Sequence, residues 1–171
     1  MAQSPIATLN LTLINAQGLK DTELFGRSDP YCTVELLSLN GQPQQKMRTK
    51  TAKNAGTSPV WNQVCKLQIM QHHVEVLINI YDENFTSDDF LGTVRIPLTS
   101  LHNAKSRTFT LPVIRKGKQK GTLTVSATYS AGGERPPSLA VQQHAQAPVA
   151  ATVSYPRPQG VPPTTASAPP Q

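Results

Sequence analysis

Two acidic stretches stand about fifty residues apart: Asp21-Thr22-Glu23-Leu24-Phe25-Gly26-Arg27-Ser28-Asp29-Pro30-Tyr31 and Tyr81-Asp82-Glu83-Asn84-Phe85-Thr86-Ser87-Asp88-Asp89-Phe90-Leu91-Gly92. Six of the chain's ten carboxylates fall in them, and a seventh if Asp21 is counted. Two like charges about 4 Å apart repel by about 4 kcal/mol at an effective dielectric near 20, so such crowding calls for positive charge between the loops. Carboxylate and amide oxygens in this number are the ligands of a hard divalent cation, and calcium is the ion that takes most of them. A second reading stays open, because Asp, Asn and Ser also favour turns and caps at the ends of hairpins.

A second charged feature is Lys46-Met47-Arg48-Thr49-Lys50-Thr51, in which cations recur at every other residue and so line one face of a strand. With Lys53 and the basic turn Arg115-Lys116-Gly117-Lys118-Gln119-Lys120, this row accounts for much of the formal charge of +6. An anionic leaflet attracts such groups by about 1 kcal/mol for each nearby Lys or Arg. Lysines on an edge strand also discourage unwanted pairing, and that reading competes with the first. Leu24, Phe25 and Phe85 are apolar residues inside the acidic stretches. They either insert into a headgroup region or cover the end of the core.

The elements that position these groups follow from hydrophobic alternation. Turn residues recur about every ten positions through residue 130, and no stretch sustains a 3.6-residue period. Eight strands are expected, at about 6–14, 30–37, 45–51, 61–70, 74–81, 90–97, 107–112 and 121–129, forming an all-β, eight-stranded antiparallel β-sandwich. With consecutive strands antiparallel, the connections at 15–29, 52–60, 82–89 and 113–120 share one end. Both acidic loops and the basic turn then meet there.

Across roughly residues 6–129 the chain resembles the C2 domain family. The resemblance is carried by Leu9-Asn10-Leu11-Thr12-Leu13-Ile14-Asn15-Ala16-Gln17-Gly18-Leu19, Gly26-Arg27-Ser28-Asp29-Pro30-Tyr31, Thr57-Ser58-Pro59-Val60-Trp61-Asn62, Tyr81-Asp82-Glu83-Asn84 and Asp89-Phe90-Leu91-Gly92, in that order. It implies the type II strand order, Ca2+ held between the acidic loops, and docking on anionic phospholipid. The family's five recurrent aspartates correspond to Glu23, Asp29, Asp82, Asn84 and Asp89, so three are aspartate here, with Asp21 and Asp88 near enough in sequence to compensate. The resemblance also implies phosphoinositide binding by the row Lys46, Arg48 and Lys50. Trp61 and Asn62 are expected to be packing and turn residues.

Composition sets the bounds. Residues 1–130 suit a single domain, whereas 131–171 hold nine of the fifteen prolines, one aromatic residue and three charges. That composition buries too little apolar surface to offset ordering entropy, and a disordered Pro/Ala/Gln-rich tail is expected. No apolar run reaches membrane-spanning length and the first residues do not read as a signal peptide, so the expected place is cytoplasmic and peripheral at membranes. Cys32 and Cys65 lie in apolar runs and are expected to be buried thiols. Adjacent His72 and His73 are expected at a solvated turn at the other pole; in a strand they would point in opposite directions, which is poor for joint metal binding. No nucleophile elbow or phosphate loop is present in the sequence, and no enzymatic activity is expected.

Three functional classes follow. The first is calcium-assisted binding to anionic phospholipid membranes. The second is a calcium-independent lipid- or protein-interaction adaptor whose tail, through Tyr155-Pro156-Arg157-Pro158 or Val161-Pro162-Pro163, recruits a partner. Nucleic-acid binding is the third; the acidic loops and the lack of aromatic residues among the cations argue against it.

Overall fold

The structure is a computed structural model in which residues 4–22, 26–102 and 104–131 are described. The expected tail over 131–171 thus lies, apart from Ala131, outside the described residues. Eight antiparallel strands form: β1 (Ala7–Gln17), β2 (Pro30–Ser38), β3 (Pro43–Arg48), β4 (Val60–Ile69), β5 (His73–Asp82), β6 (Asp89–Pro97), β7 (Arg107–Arg115) and β8 (Lys118–Ala131). Their order is β3-β2-β5-β6-β7-β8-β1-β4. Pairing between β6 and β7 shrinks to the single couple Thr93↔Ile114, which divides the sheet into two four-stranded layers.

Alternation explains the core. In β1, Ala7, Leu9, Leu11 and Leu13 face inward and are buried, while the residues between them stay partly open. They pack with Cys32, Val34 and Leu36 of β2, Cys65 and Leu67 of β4, Val76, Ile78 and Ile80 of β5, and Leu123 and Val125 of β8. Strand β2 is buried along its whole length. Its outer face carries Tyr31, covered by the guanidinium of Arg48, and Glu35, paired with Lys46.

Four boundaries differ from expectation by three residues, those at the ends of β1, β3 and β7 and at the start of β8. Strand β1 runs on to Gln17. The expected loop at 113–120 is instead a two-residue turn, Lys116-Gly117, between β7 and β8. Both turn residues have positive φ, 49° and 72°. Their mirror-image turn matches the twist of the flanking strands and lets the ladder continue to Arg115↔Lys118. Strand β3 stops at Arg48 rather than 51, because Thr49 turns its hydroxyl onto the backbone N–H of Cys32 (2.9 Å). Lys50 therefore lies beyond the strand, and of the expected row only Lys46 and Arg48 are strand residues.

The outermost strands, β3 and β4, are joined by side chains. Gln45 accepts the backbone N–H of Gln68 (2.8 Å) and donates to the Gln68 carbonyl (2.5 Å). Gln63 accepts the backbone N–H of Lys50 (2.8 Å) and donates to the Arg48 carbonyl (3.4 Å). Each amide supplies one donor and one acceptor, as a neighbouring strand would.

At the opposite pole the expected turn is present, but His73 opens β5 and is buried rather than solvated. His72 sits in the turn before β5, and both rings reach Gln44 Oε1, at 3.1 and 3.0 Å. His73 Nδ1 accepts the backbone N–H of Met70 (3.0 Å), so its proton is on Nε2. Burial first, and then His72, pushes the His73 pKa down. The folded state thus binds this proton less readily than the unfolded chain, whose pKa is about 6.5. The associated stability is fully present above that pH and is lost as pH falls through the lowered folded value. The urea midpoint is expected to fall from pH 7 to pH 5, and to fall less in His73→Asn, whose Oδ1 can accept the Met70 N–H but does not titrate.

Candidate functional site

The connections β1–β2, β3–β4 and β5–β6 meet at one end, as strand parity requires. Backbone bonds bind them together: Leu19 N–H to the Thr57 carbonyl (3.1 Å), Gly56 N–H to Ser28 (2.9 Å), Ala52 N–H to Pro30 (2.9 Å) and Glu83 N–H to Asp29 (3.0 Å). Trp61 donates its indole N–H to the Pro30 carbonyl (3.0 Å), so this residue fixes the entry to β2 as well as packing against the core. The β7–β8 hairpin is anchored to the same end by Arg115, whose Nε–H donates to the Phe90 carbonyl (2.8 Å).

Asp29 and Asp82 come into direct contact. The backbone N–H of Asp29 donates to Asp82 Oδ1 (2.6 Å), and the Thr22 hydroxyl donates to Asp82 Oδ2 (2.7 Å). Asp82 is fully buried, at the end of β5. The Asp29 side chain faces the β3–β4 connection, accepting the Asn54 N–H at Oδ1 (2.6 Å) and facing Lys53 Nζ at Oδ2 (3.1 Å). Asp21 Oδ1 accepts a bond from Ser28 (3.4 Å), which places it at the same end.

The second loop makes its own knot. Asn84 donates its backbone N–H to Asp88 Oδ1 (3.0 Å) and its side-chain amide to Asp89 Oδ2 (3.2 Å). The Tyr31 hydroxyl donates to Asp88 Oδ2 (2.6 Å). Burial, with help from Asp88, pushes the Tyr31 phenol up to about 12. The same bond, then the Asn84 N–H, holds the Asp88 carboxyl below its usual range.

Between the two knots lies a cleft of about 590 Å³ lined by Asp29, Arg48, Lys53, Glu83, Asn84, Phe85 and Asp88. Glu83 is its hub. One oxygen pairs with Lys53 Nζ (2.6 Å) and the other with Arg48. The Arg48 guanidinium also lies 3.7 Å above the Tyr31 ring. Lys53, foremost among its partners, holds the Glu83 carboxyl below its usual range, and Glu83 followed by Asp29 raises the Lys53 ammonium. Among the described residues no three carboxylates, cysteines or histidines are grouped closely enough to hold a metal ion. The carboxylates stand as two groups with cations between them.

Phe85 is completely exposed at the tip of the second loop and takes no part in covering the core. Lys116, Lys118 and Lys120 are exposed on the hairpin, and Lys50 is exposed beyond β3. Three expected site residues, Glu23, Leu24 and Phe25, lie outside the described residues. The sequence reading left out Glu83, Thr22 and Tyr31 from the site. Glu83 had a signal, since it sits between two expected ligands; Thr22 and Tyr31 are visible only once the loops are folded together.

The donor set is entirely oxygen, which suits a hard cation such as calcium. An ammonium already stands on Asp29 Oδ2 and Glu83, so positive charge is stabilised at this place.

The family model described as C2 domain matches residues 7–113. A relative from Arabidopsis thaliana, named calcium-dependent lipid-binding protein, is 29% identical over 134 residues, covering 73% of this chain. The matched region is 25% of that relative's length. The C2A domain of plant Extended Synaptotagmin 1 superposes with a TM-score of 0.67 at 21% identity, covering 77% of this chain and 100% of that one. The calcium-bound C2A and C2B domains of Extended-Synaptotagmin 2 superpose with a TM-score of 0.61 at 26% identity, covering 75% and 47%.

Proposed function

Because the chain belongs to the C2 domain family, we propose that it binds anionic phospholipid membranes peripherally through its loop end, with calcium assisting. The observation that carries this reading is the cleft itself: oxygen donors from two loops face one another beside an exposed Phe85. The calcium-dependent lipid-binding relative and the calcium-bound structural neighbour support it.

Asp29, Asp82, Asn84, Asp88 and Asp89 would hold the ion, with Asp21 and Glu23 from the first loop. When bound, calcium would offset the carboxylate charge and offer a positive centre to a lipid phosphate. The remaining contributions are the chain's own. Phe85 would add roughly 1.5–3 kcal/mol if buried among acyl chains. Lys116, Lys118 and Lys120 would add electrostatic attraction of about 1 kcal/mol each near the surface. Lys46, Arg48 and Lys50 would meet a phosphoinositide headgroup; Arg48 and Lys46 are tied to Glu83 and Glu35, so Lys50 is the cleanest test of that contact. No helix among the described residues is long and apolar enough to cross a membrane, and we place the protein at the cytoplasmic face, as a binding module rather than an enzyme.

A second reading, calcium-independent binding, is favoured by one observation, the pairing of cleft carboxylates with Lys53 and Arg48. Co-sedimentation with phosphatidylserine vesicles in calcium and in chelator separates the two. Pelleting is expected to rise at least tenfold in calcium. Equal pelleting in chelator would assign the work to the cations and the hairpin.

A further inference from the structure

Lys53 occupies a position no packing need explains. Its side chain is 60% exposed, yet its ammonium bridges Asp29 Oδ2 at 3.1 Å and Glu83 Oε2 at 2.6 Å, linking the β3–β4 connection to both acidic loops. The described charged groups around the cleft are Asp29, Glu83 and Asp88 against Arg48 and Lys53, three negative and two positive. Removing Lys53 would double the net negative charge, from one to two.

The two oxygens of Asp29 are held differently. Oδ1 is fixed by a backbone N–H, that of Asn54 at 2.6 Å, whereas Oδ2 is held by a flexible side chain. The segment is also tied on either side by backbone bonds that do not involve the lysine side chain, Ala52 N–H to the Pro30 carbonyl and Gly56 N–H to the Ser28 carbonyl, both at 2.9 Å. Oδ2 can therefore change partner without moving the loop. Arg48 cannot change partner so freely, since it is engaged by Tyr31 and Glu83 together.

We propose that Lys53 is a built-in counter-ion that competes with a divalent cation for Asp29 and, on release, is free to meet a lipid phosphate. This deepens the calcium reading of the same cleft and rests on it. Lys53 holds the cleft lining at one net negative charge without the ion and raises the concentration at which the ion binds. Because binding free energies are reciprocal, an anionic surface that draws the ammonium away also tightens cation binding. The exchange needs little driving force, since exposed ion pairs are weak.

The test is a terbium luminescence titration, with calcium competition, of the full chain and its Lys53→Met and Lys53→Arg variants. Each is measured alone, with phosphatidylcholine vesicles, with phosphatidylserine vesicles and with inorganic phosphate. Lys53→Met is expected to bind the ion about five- to tenfold more tightly than wild type without vesicles, and to gain less from phosphatidylserine. Lys53→Arg is expected to resemble wild type. Gain from phosphatidylserine but not from phosphate identifies the lipid surface as the source of the anion, as proposed; gain from phosphate alone overturns that part. Equal or weaker ion binding by Lys53→Met, with wild type binding normally, overturns the competition and leaves the calcium reading intact. No binding by any of the three proteins overturns both.

Discussion

Asp82→Asn is expected to abolish most calcium-dependent vesicle binding while lowering stability by about 1–3 kcal/mol. Asp82 accepts the Asp29 N–H at one oxygen and the Thr22 hydroxyl at the other, in a fully buried position. An asparagine keeps the shape but sets an NH2 group against one of those donors. It also removes a charge worth about 4 kcal/mol to an ion about 4 Å away before desolvation is subtracted, so a loss of one to two decades in calcium affinity is expected. Thr22→Val separates the effects, because it removes one bond to Asp82 and leaves the charge. Thr22→Val should share the stability loss and retain calcium-dependent pelleting. A wild-type calcium midpoint in Asp82→Asn would make Asp82 a loop strut alone.

Gly121→Ala should be the most damaging single methyl group at this end of the molecule. A Cβ there would stand 2.4 Å from the Gln17 carbonyl oxygen and 2.7 Å from the carbonyl carbon and oxygen of Gly18. All three atoms are backbone, so none can swing aside. The residue also has φ of +96°, which L side chains rarely adopt. Overpacking typically costs about 1–3 kcal/mol and such a backbone conformation about 1–3 more, giving an expected loss of roughly 2–6 kcal/mol in a urea titration. Because Gln17 and Gly18 lead into the first acidic loop, calcium-dependent vesicle binding should weaken with it even under conditions where the variant stays folded. A loss below about 1 kcal/mol would mean that β1 and β8 part more easily than their ladder implies.

The fold was legible because its core is written in period two. Leu9, Leu11 and Leu13, then Val76, Ile78 and Ile80, alternate cleanly, and both sets are buried. The shared end for the acidic loops followed from counting strands, and the Asp29–Asp82 contact bears it out. What the sequence hid were choices made by individual side chains. Nothing in Lys46-Met47-Arg48-Thr49-Lys50 says that Thr49 replaces a strand partner and ends β3, or that Arg48 lies on Tyr31. Likewise, the turn that holds His72 was legible, but not that both neighbouring rings reach one oxygen of Gln44, twenty-eight and twenty-nine residues away. The acidic loops read as one pool of ligands; folding divides them between an Asp29–Asp82 contact and an Asn84–Asp88–Asp89 knot, with Glu83 and its two cations in the middle.

The glutamine rungs between β3 and β4 have a consequence for crowding. Proteins gathered on a membrane move in two dimensions, where local concentration is high and collisions are frequent. A free strand edge in that setting is a template for the next copy, and growth by edge addition is then hard to stop. Here Gln45 and Gln63 occupy the outward-facing backbone groups of Gln68, Arg48 and Lys50 with partners from the same chain. These rungs shorten the run of unpaired backbone at that seam, which makes edge pairing between neighbouring copies less favourable.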